Sequence, residues 1–336
     1  MSIEAYKDSW RETLFTLYGE FEHKYYSGAR GKERWSWRRR TGVMPWFDRL
    51  GFPWLYFREN ALAGTIDCLP NLLSYEDQKY TCLSDTDFFI RDAGRPMGIS
   101  LILELMKSSE VYLCANGPPE VLEIYEKLGF KNVGKGHRAW QRRLVPAGRA
   151  LLMRVKENIA GTGASASVAA GSGLYWDKKE DFTEIENISA SFGQDYLKGC
   201  RSTGFLEWRV GEHPDRDFEV WVCRDDSGKN IGYTIFRRVR RRKIMPYQAI
   251  IFDFALAAEA GINESDYIDL MERLFLALSC DVATYFLISP WEENLEGKGY
   301  ELVWKDLLLM YSKIVELPPT ENWHLTLLDT EKLLYF

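Results

Sequence analysis

The sequence predicts an α/β protein of two domains, each a mixed, mostly antiparallel sheet flanked by helices. The first observation is the length of 336 residues, which suits roughly two domains of ordinary size. The second is a segment rich in Gly, Ala and Ser, residues 158–173, that divides the chain into two parts of similar length. The third is the alternation of short apolar runs with longer helical runs on both sides of that segment, which is typical of α/β proteins.

From these observations we predict a first domain over residues 1–150, a linker over 151–174 and a second domain over 175–336. The two parts share the order of their elements but no visible motif, which indicates a duplicated fold whose second copy has diverged. No repeat of about 20–50 residues is visible in the sequence, so solenoids and propellers are disfavoured.

The first part begins with helical spacing of apolar residues, followed by two short apolar runs that predict a hairpin. Pro118 and Pro119 suit the first turn of a later helix, and Gly129 suits the left-handed position that ends it. The predicted strands are 54–58, 61–68, 80–91, 111–115 and 138–145, and the predicted helices are 4–26, 98–108 and 120–128.

The second part repeats this order of elements. The turn residues Asp226, Ser227 and Gly228 separate two apolar runs and predict a hairpin. The predicted strands are 218–223, 231–238, 249–254, 283–288, 307–311 and 324–328, and the predicted helices are 266–279 and 293–297.

Composition and charge exclude several classes of protein. With 46% hydrophobic and 27% charged residues, the chain is neither disordered nor a coiled coil. The net charge of −6 argues against binding of a nucleic acid polymer, although a slight basic excess in residues 1–150 suits a small polyanion. No apolar run reaches the ~18 residues of a membrane span, and no signal-peptide stretch is visible, so we expect a cytoplasmic protein.

The cysteines predict neither a disulfide framework nor a metal site. None of the six forms a CxxC pair, and no histidines cluster beside them, which is typical of scattered reduced thiols. We therefore expect no bound metal. The cysteines are Cys68, Cys82, Cys114, Cys200, Cys223 and Cys280.

The most informative segment runs from Phe88 to Ser100, where a predicted strand leads through a loop into a helix. It contains the pattern Arg95-x-x-Gly98-x-Ser100. Backbone N–H groups at a helix N-terminus, approached through a turn that glycine permits, form an anion site. The same pattern is also typical of a simple turn before a core helix.

A second segment follows, in which a strand ends before Asn116 and a helix carries the pattern Tyr125-x-x-x-Gly129-Phe130. Together the two segments resemble the GNAT superfamily of acyl-CoA N-acyltransferases. The resemblance covers about residues 5–145 and is most specific over 88–134. Ser100 stands where that family usually has Gly or Ala.

The resemblance implies acyl-CoA as co-substrate, either acetyl-CoA or one with a longer or hydroxylated chain. It implies that the Phe88 amide faces the thioester carbonyl and stabilises the oxyanion. Tyr125 would protonate the departing thiolate, although a buried aromatic at this spacing is equally typical of a core. The residues implied to bind the cofactor are Phe88, Ile90, Arg95, Met97, Gly98, Ile99, Ser100, Asn116 and Tyr125.

The general base is less clear, since an amine near pH 7 must lose a proton before it attacks. Asp85 and Asp87 lie on the predicted strand beside the thioester position, and we take Asp87 as the candidate. Either residue is also typical of a solvated or ion-paired carboxylate. The four histidines are alternatives: His23, His137, His213 and His324.

A run of Arg and Trp at 34–40 suggests the acceptor side. Trp35 and Trp37 could stack on a base or sugar, while Arg38 and Arg39 could clamp a diphosphate. A basic helix with its tryptophans packed inward is the structural alternative.

The second part resembles, more loosely, the tandem-GNAT sugar N-acyltransferases of surface-polysaccharide loci, such as those for the O-antigen of lipopolysaccharide. The residues that carry this likeness are 205–209, 213–214, 218–220 and the ending 322–329. The resemblance implies an acceptor amine on a nucleotide-linked amino sugar, such as a dTDP-amino-dideoxyhexose. Because the second part lacks the Arg-x-x-Gly loop, we expect it to shape the acceptor site and not to bind coenzyme A.

Three other functions remain open at this point. They are acetyl transfer to a protein, peptide or antibiotic amine, aminoacyl-tRNA-dependent peptidyl transfer, and acyl-CoA sensing without turnover. The acidic second part of the chain disfavours aminoacyl-tRNA-dependent peptidyl transfer, because tRNA binding requires a large basic surface. We expect no nucleic acid partner and no membrane span, and the sequence leaves a homodimer open.

Overall fold

The predicted α/β class is confirmed by a computed structural model, in which a large, mostly antiparallel sheet is flanked by helices. The structure describes residues 2–21, 26, 28–40, 42–91, 95–115, 119–133, 136–145, 167–171, 173–215, 217–240, 247–305, 308–314 and 317–329. None of the helices in these ranges is both long enough and apolar enough to cross a membrane.

The first half of the chain contains seven described strands and five described helices. The strands are β1 (Ser2–Ala5), β2 (Trp54–Arg58), β3 (Ala61–Tyr75), β4 (Gln78–Ile90), β5 (Val111–Ala115), β6 (Lys131–Asn132) and β7 (Arg138–Arg143). The helices are α1 (Arg11–Glu20), α2 (Gly28–Arg38), α3 (Pro45–Asp48), α4 (Arg95–Ser108) and α5 (Pro119–Lys127).

The second half follows the same order with additions at both ends. Its strands are β8 (Ser167–Gly171), β9 (Leu174–Lys178), β10 (Leu197–Gly199), β11 (Phe218–Asp225), β12 (Asn230–Val239), β13 (Tyr247–Leu256), β14 (Cys280–Ile288), β15 (Glu301–Lys305), β16 (Leu308–Ser312) and β17 (Trp323–Thr326). Its helices are α6 (Thr183–Ser191), α7 (Thr203–Leu206), α8 (Glu264–Ala277) and α9 (Glu292–Gly297).

Differences from the predicted elements lie mainly at their ends. The helix predicted over 4–26 begins at Arg11, because Ser2–Ala5 pairs with β2 as an edge strand instead. Helix α4 begins at Arg95, three residues before the predicted start. Strand β8 lies within the segment 151–174, for which a linker is predicted, and residues 151–166 and 172 of that segment lie outside the described ranges.

The two halves repeat one topology. In the first, β2, β3 and β4 are antiparallel, and α4 then crosses over so that β5 lies parallel to β4. In the second, β11, β12 and β13 are antiparallel, and α8 crosses over to the parallel strand β14. A parallel neighbour requires such a crossover, which explains the long helix at the same place in each half.

The halves also exchange strands. Strand β7 from the first half lies between β14 and β15 of the second. Strand β16 from the second half pairs with β5 and β6 of the first. A further bridge runs from β3 through β10 and β17 to β14. Separating the halves would therefore break main-chain hydrogen bonds at several places.

Two tryptophans lock the halves together on the helical side. The indole N–H of Trp37 donates to the carbonyl oxygen of Trp208 at 2.6 Å, and that of Trp208 donates to the carbonyl of Trp37 at 3.0 Å. Their rings stack with centroids 5.5 Å apart. Both side chains are buried, so two indole donors are satisfied and two aromatic faces leave water together.

Arg38 fixes α2 to the sheet of the first half. Its guanidinium is buried and contacts the carboxylates of Asp67 on β3 at 3.2 Å and of Asp87 on β4 at 2.7 Å. Arg39 also contacts Asp67, so two arginines balance two aspartates. A buried carboxylate left without its cation is strongly unfavourable, so this cluster holds only as a complete set.

We predict that Arg38→Met lowers the free energy of unfolding by about 3–5 kcal/mol, because Asp87 loses the buried guanidinium that pairs with it. Denaturant unfolding followed by circular dichroism measures this. The matched control is Arg30→Met, whose side chain is 68% exposed and pairs with Asp215, and which we expect to change stability little. Equal effects of the two variants would contradict the importance of the buried cluster.

Candidate active site

The candidate site lies where two parallel strands of the first half separate. Strands β4 and β5 pair only from Cys82–Val111 to Ser84–Leu113. Beyond this point β4 continues to Ile90, paired with β3 alone, and no strand of the described residues lies between β4 and β5. Among the described strands, the edge of β4 that faces the split therefore has no partner.

A bulge in β4 accompanies the separation. Asp87 lies opposite Asp67 and Asp85 lies opposite Cys68, so Thr86 is an extra residue with no partner of its own. Such a bulge bends its strand and increases the local twist. It also reverses the side-chain alternation, and Asp85 and Asp87 consequently point to opposite faces of the sheet.

The corresponding separation in the second half is filled. Strands β13 and β14 pair from Tyr247–Cys280 to Ile251–Tyr285, and beyond this β17 pairs with β14 instead. The side chain of His324 on β17 also contacts the carbonyl oxygen of Phe254, with 3.3 Å between the Nε2 and oxygen atoms. Within the described ranges, only the first half keeps this split open.

A buried ion cluster holds the segment that fills the second split. Arg201 donates to Asp253 on β13 at 2.7 Å and to Asp329, just after β17, at 2.7 Å. Thr326 donates to Asp253 at 2.8 Å, and Asn71 of the first half donates to Asp329 at 2.9 Å. No local pattern in the sequence indicates this cluster, since Asn71, Arg201, Asp253 and Asp329 lie more than fifty residues from one another.

Tyr125 is positioned by the end of α5. Gly129 has a φ of 95°, and its N–H donates to the Glu126 carbonyl, while the Phe130 N–H donates to the Tyr125 carbonyl at 3.0 Å. This is a Schellman motif, in which glycine adopts the left-handed conformation that ends the helix. The Phe130 ring packs against the Tyr125 ring at 4.7 Å. The Tyr-x-x-x-Gly-Phe pattern is thus a device that orients the tyrosine.

The Tyr125 hydroxyl reaches the split. It donates a hydrogen bond of 2.9 Å to Oδ2 of Asp85 and lies 3.1 Å from the Tyr112 hydroxyl. Burial raises the pKa of Tyr125 well above its usual value, and the negative charge of Asp85 is the second-largest cause. The phenol therefore keeps its proton at neutral pH. Burial also raises the pKa of Asp85 to about 6, although hydrogen bonds from Tyr125 and Cys114 oppose the shift.

Asp87, the predicted base, occupies a different environment. It is buried on the face that packs against α2 and is ion-paired with Arg38. Asp85, which the sequence left as an alternative, is the carboxyl that contacts Tyr125. In a regular strand the side chains of Asp85 and Asp87, two positions apart, would lie on the same face. The bulge at Thr86 places them on opposite faces.

No protein-family model matches this sequence, and no curated protein matches it. Solved structures do. A GCN5-related N-acetyltransferase from Anabaena variabilis superposes with a TM-score of 0.62 at 13% identity, covering 94% of this chain and 73% of that one. A probable N-acyltransferase from Enterococcus faecalis gives 0.61 at 10% identity, covering 93% and 72%. Saccharomyces cerevisiae N-myristoyltransferase with bound myristoyl-CoA gives 0.53 at 12%, covering 93% and 78%.

The chain has the GNAT fold. At these identities the likeness is one of fold, and it extends over both halves, since more than nine-tenths of the chain is covered. In this GNAT fold, the open split, Tyr125 and the start of α4 lie in the first half, where the sequence resemblance was most specific.

The start of α4 supplies backbone donors near β4. The first four N–H groups of a helix have no partner within it, and here these belong to Arg95 through Gly98. A Cβ on Gly98 would lie 2.8 Å from Cδ1 of Ile90 and 3.3 Å from Cζ of Phe88. Glycine at this place therefore lets α4 approach β4 closely, a packing role that the sequence did not reveal.

Several predicted cofactor residues can be placed only in part. The backbone of Arg95 and Met97 belongs to α4, whereas their side chains and the whole of Asn116 lie outside the described residues. Ile99 is exposed and Ser100 partly exposed in the first turns of α4. No three His, Cys, Asp or Glu side chains in the described ranges come together as metal ligands.

The predicted acceptor residues all have partners inside the protein. Trp35 is buried against the rings of Tyr6 and Tyr26, and Trp37 stacks on Trp208. Arg38 and Arg39 are paired with aspartates, as described above. The structure therefore shows this run in the role of an internal scaffold.

Two of the four histidines, His213 and His324, belong to the second half of the chain. Burial lowers the pKa of His213, beside Trp37, to about 3, and that of His324, on β17, to about 4. His137 is fully buried. His23 lies outside the described residues.

We predict that Asp85→Asn stabilises the protein at pH 8 by about 1–3 kcal/mol. Because burial raises the Asp85 pKa to about 6, the folded state binds its proton more tightly than the unfolded chain does. The wild type is therefore favoured at low pH and loses stability as the pH rises through 6, whereas the amide carries no charge. Unfolding curves at pH 5 and pH 8 measure the difference.

The control for this experiment is Asp87→Asn, which leaves Arg38 with fewer carboxylates and should destabilise at both pH values. If Asp85→Asn destabilises equally at pH 5 and pH 8, the carboxyl of Asp85 is not the group that burial perturbs.

Proposed function

We propose that the protein is an acyl-CoA-dependent N-acyltransferase with a single acyl-transfer site, in the split between β4 and β5. The observation that carries this proposal is the contrast between the halves. The first split is open and lined by Tyr125 and Asp85, whereas β17 fills the second. The fold shared with an N-acetyltransferase and with an N-myristoyltransferase that binds myristoyl-CoA supports the choice of acyl-CoA.

In the proposed complex the coenzyme spans from α4 to the split. Its pyrophosphate lies at the N-terminus of α4, where free backbone N–H groups of Arg95 through Gly98 and the helix dipole favour an anion. The pantetheine arm follows β4 along Phe88 and Ile90, whose strand edge has no partner toward β5. We assign Met97, Ile99, Ser100 and Asn116 to the coenzyme on the sequence resemblance.

The proposed chemistry is direct attack of a neutral amine on the thioester carbonyl. The oxyanion forms beside the Phe88 amide, and the carbon–sulfur bond breaks as the amide forms. Tyr125 protonates the departing thiolate, which suits a phenol that keeps its proton at neutral pH. The attacking amine gives up one proton as the amide forms, and this balances the proton that Tyr125 gives to sulfur.

The nucleotide-linked amino sugar remains the proposed acceptor on the sequence resemblance of the second half. The internal pairing of Trp35, Trp37, Arg38 and Arg39 removes the feature that favoured a diphosphate. An acceptor panel therefore decides this point. It contains a dTDP-amino sugar, a peptide with a free N-terminal glycine and a lysine peptide, each tested for release of free coenzyme A thiol from acetyl-CoA.

We expect one acyl-CoA to bind per chain, because β17 and its buried ion cluster occupy the second split. Calorimetric titration with acetyl-CoA gives the stoichiometry directly. Two equivalent sites would contradict the assignment of β17, and binding without thiol release from any amine would favour an acyl-CoA sensor.

We predict that Tyr125→Phe lowers kcat by ~10²-fold while the KM for acyl-CoA changes little, because only the proton donor is lost. The matched control is Tyr112→Phe, which also removes one buried hydroxyl of the same pair and should cost much less. A Tyr125→Phe variant that keeps its rate and loses thermal stability would show that Tyr125 serves only to fill the core.

A further inference from the structure

Asp85 has an unusual setting for a carboxyl group. Within the described residues it forms no ion pair, and its side-chain hydrogen bonds come from Tyr125 and Cys114. Its Oδ2 atom accepts from Tyr125 at 2.9 Å. Asp87, two residues later, is neutralised by Arg38 and needs no further role.

Among the described residues, the groups shown to interact with Asp85 are weak acids. They are Tyr125 from α5, Tyr112 and Cys114 from β5, and Cys68 from β3, and the negative charge of Asp87 on β4 also acts on Asp85. With no ion pair to favour the ionised form, burial raises the pKa of this carboxyl to about 6. This distinguishes it from the paired aspartates Asp67, Asp253 and Asp329.

The charge on Asp85 determines which way the hydrogen bond to Tyr125 runs. An ionised carboxylate only accepts, so the phenol hydrogen of Tyr125 must point at Asp85 and away from other partners. A protonated carboxyl donates to the Tyr125 oxygen instead, and the phenol hydrogen is then free to pass to another atom. Tyr112, 3.1 Å from the Tyr125 oxygen, completes the chain of hydroxyls.

We propose that Asp85 is the proton store of Tyr125: it takes up the proton released by the attacking amine and returns one to the Tyr125 oxygen as the phenol protonates the thiolate. This proposal rests on the proposed N-acyltransferase function.

The protons balance over one turnover. The nitrogen–carbon bond forms and the carbon–sulfur bond breaks, and the amine loses one proton, which reaches Asp85 directly or through water. Tyr125 gives its proton to sulfur and receives the one held by Asp85. The products are an amide and a free thiol, and both side chains return to their starting states.

The deciding variant is Asp85→Asn, which keeps the size of the side chain and an oxygen that can accept from Tyr125 but cannot carry a proton. We expect acetyl-CoA binding to be unchanged by calorimetry and kcat to fall by about 10–100-fold. In the wild type, log(kcat/KM) for the best amine of the panel should fall with a slope of about two below pH 6. The variant should keep only the slope of about one that the amine causes.

Two further variants separate the proton store from a structural role. Asp85→Glu restores a titratable carboxyl. It should regain part of the kcat lost in Asp85→Asn, together with the extra fall of log(kcat/KM) below pH 6. Asp87→Asn should be less stable, but the activity that it retains should still show the extra fall of log(kcat/KM) below pH 6. An unchanged pH profile in Asp85→Asn, or a rate within about threefold of the wild type, would falsify the proposal.

A measurement without turnover distinguishes this proposal from the proposed function. Carboxyl carbon NMR of the labelled protein, with Asp85→Asn for assignment, should show Asp85 titrating near pH 6. Titration below about pH 4.5 overturns the proton store even if the protein is an active acyltransferase. Titration near 6 in a protein that releases no thiol with any amine overturns the proposed function instead, and the proton store with it.

Discussion

The extra residue at Thr86 is the constraint on which the first half depends. Because β4 carries one more residue than β3 at this point, the strand bends and its pairing with β5 ends at Ser84. The same insertion turns Asp85 toward α5 and Asp87 toward α2. One backbone irregularity thus both opens the split and gives two neighbouring carboxyls separate tasks.

Those tasks follow from the partners that each face provides. On one face Arg38 and Arg39 hold Asp67 and Asp87 ionised and tie α2 to the sheet. On the other face Asp85 receives hydrogen bonds from a hydroxyl and a thiol, those of Tyr125 and Cys114, and burial raises its pKa to about 6. Charge pairing thus ties the first face to α2, whereas the carboxyl on the second face has a raised pKa.

The second half acts as a frame for the first. Strand β16 forms the outer neighbour of β5, and the paired tryptophans Trp37 and Trp208 join the helices of the two halves. Its own split is filled by β17, held by Arg201 between Asp253 and Asp329. Because β17 occupies this split, the second half does not need a phosphate-binding loop beside it. Its sequence contains no such loop.

The sequence by itself determined the fold class, most strands and helices, and the tyrosine at the end of α5. These depend on local periodicity and on glycine's freedom at Gly129, which neighbouring residues alone express. Only the tertiary structure decided that Asp85, not Asp87, contacts Tyr125, since a bulge cannot be read from alternation. It also decided that the Arg and Trp run at 34–40 faces inward, because its partners are Trp208 and the aspartates of β3 and β4. In the same way it decided that β7 and β16 each pair with strands of the other half, more than a hundred residues away. Long-range pairing of this kind leaves no mark on local sequence.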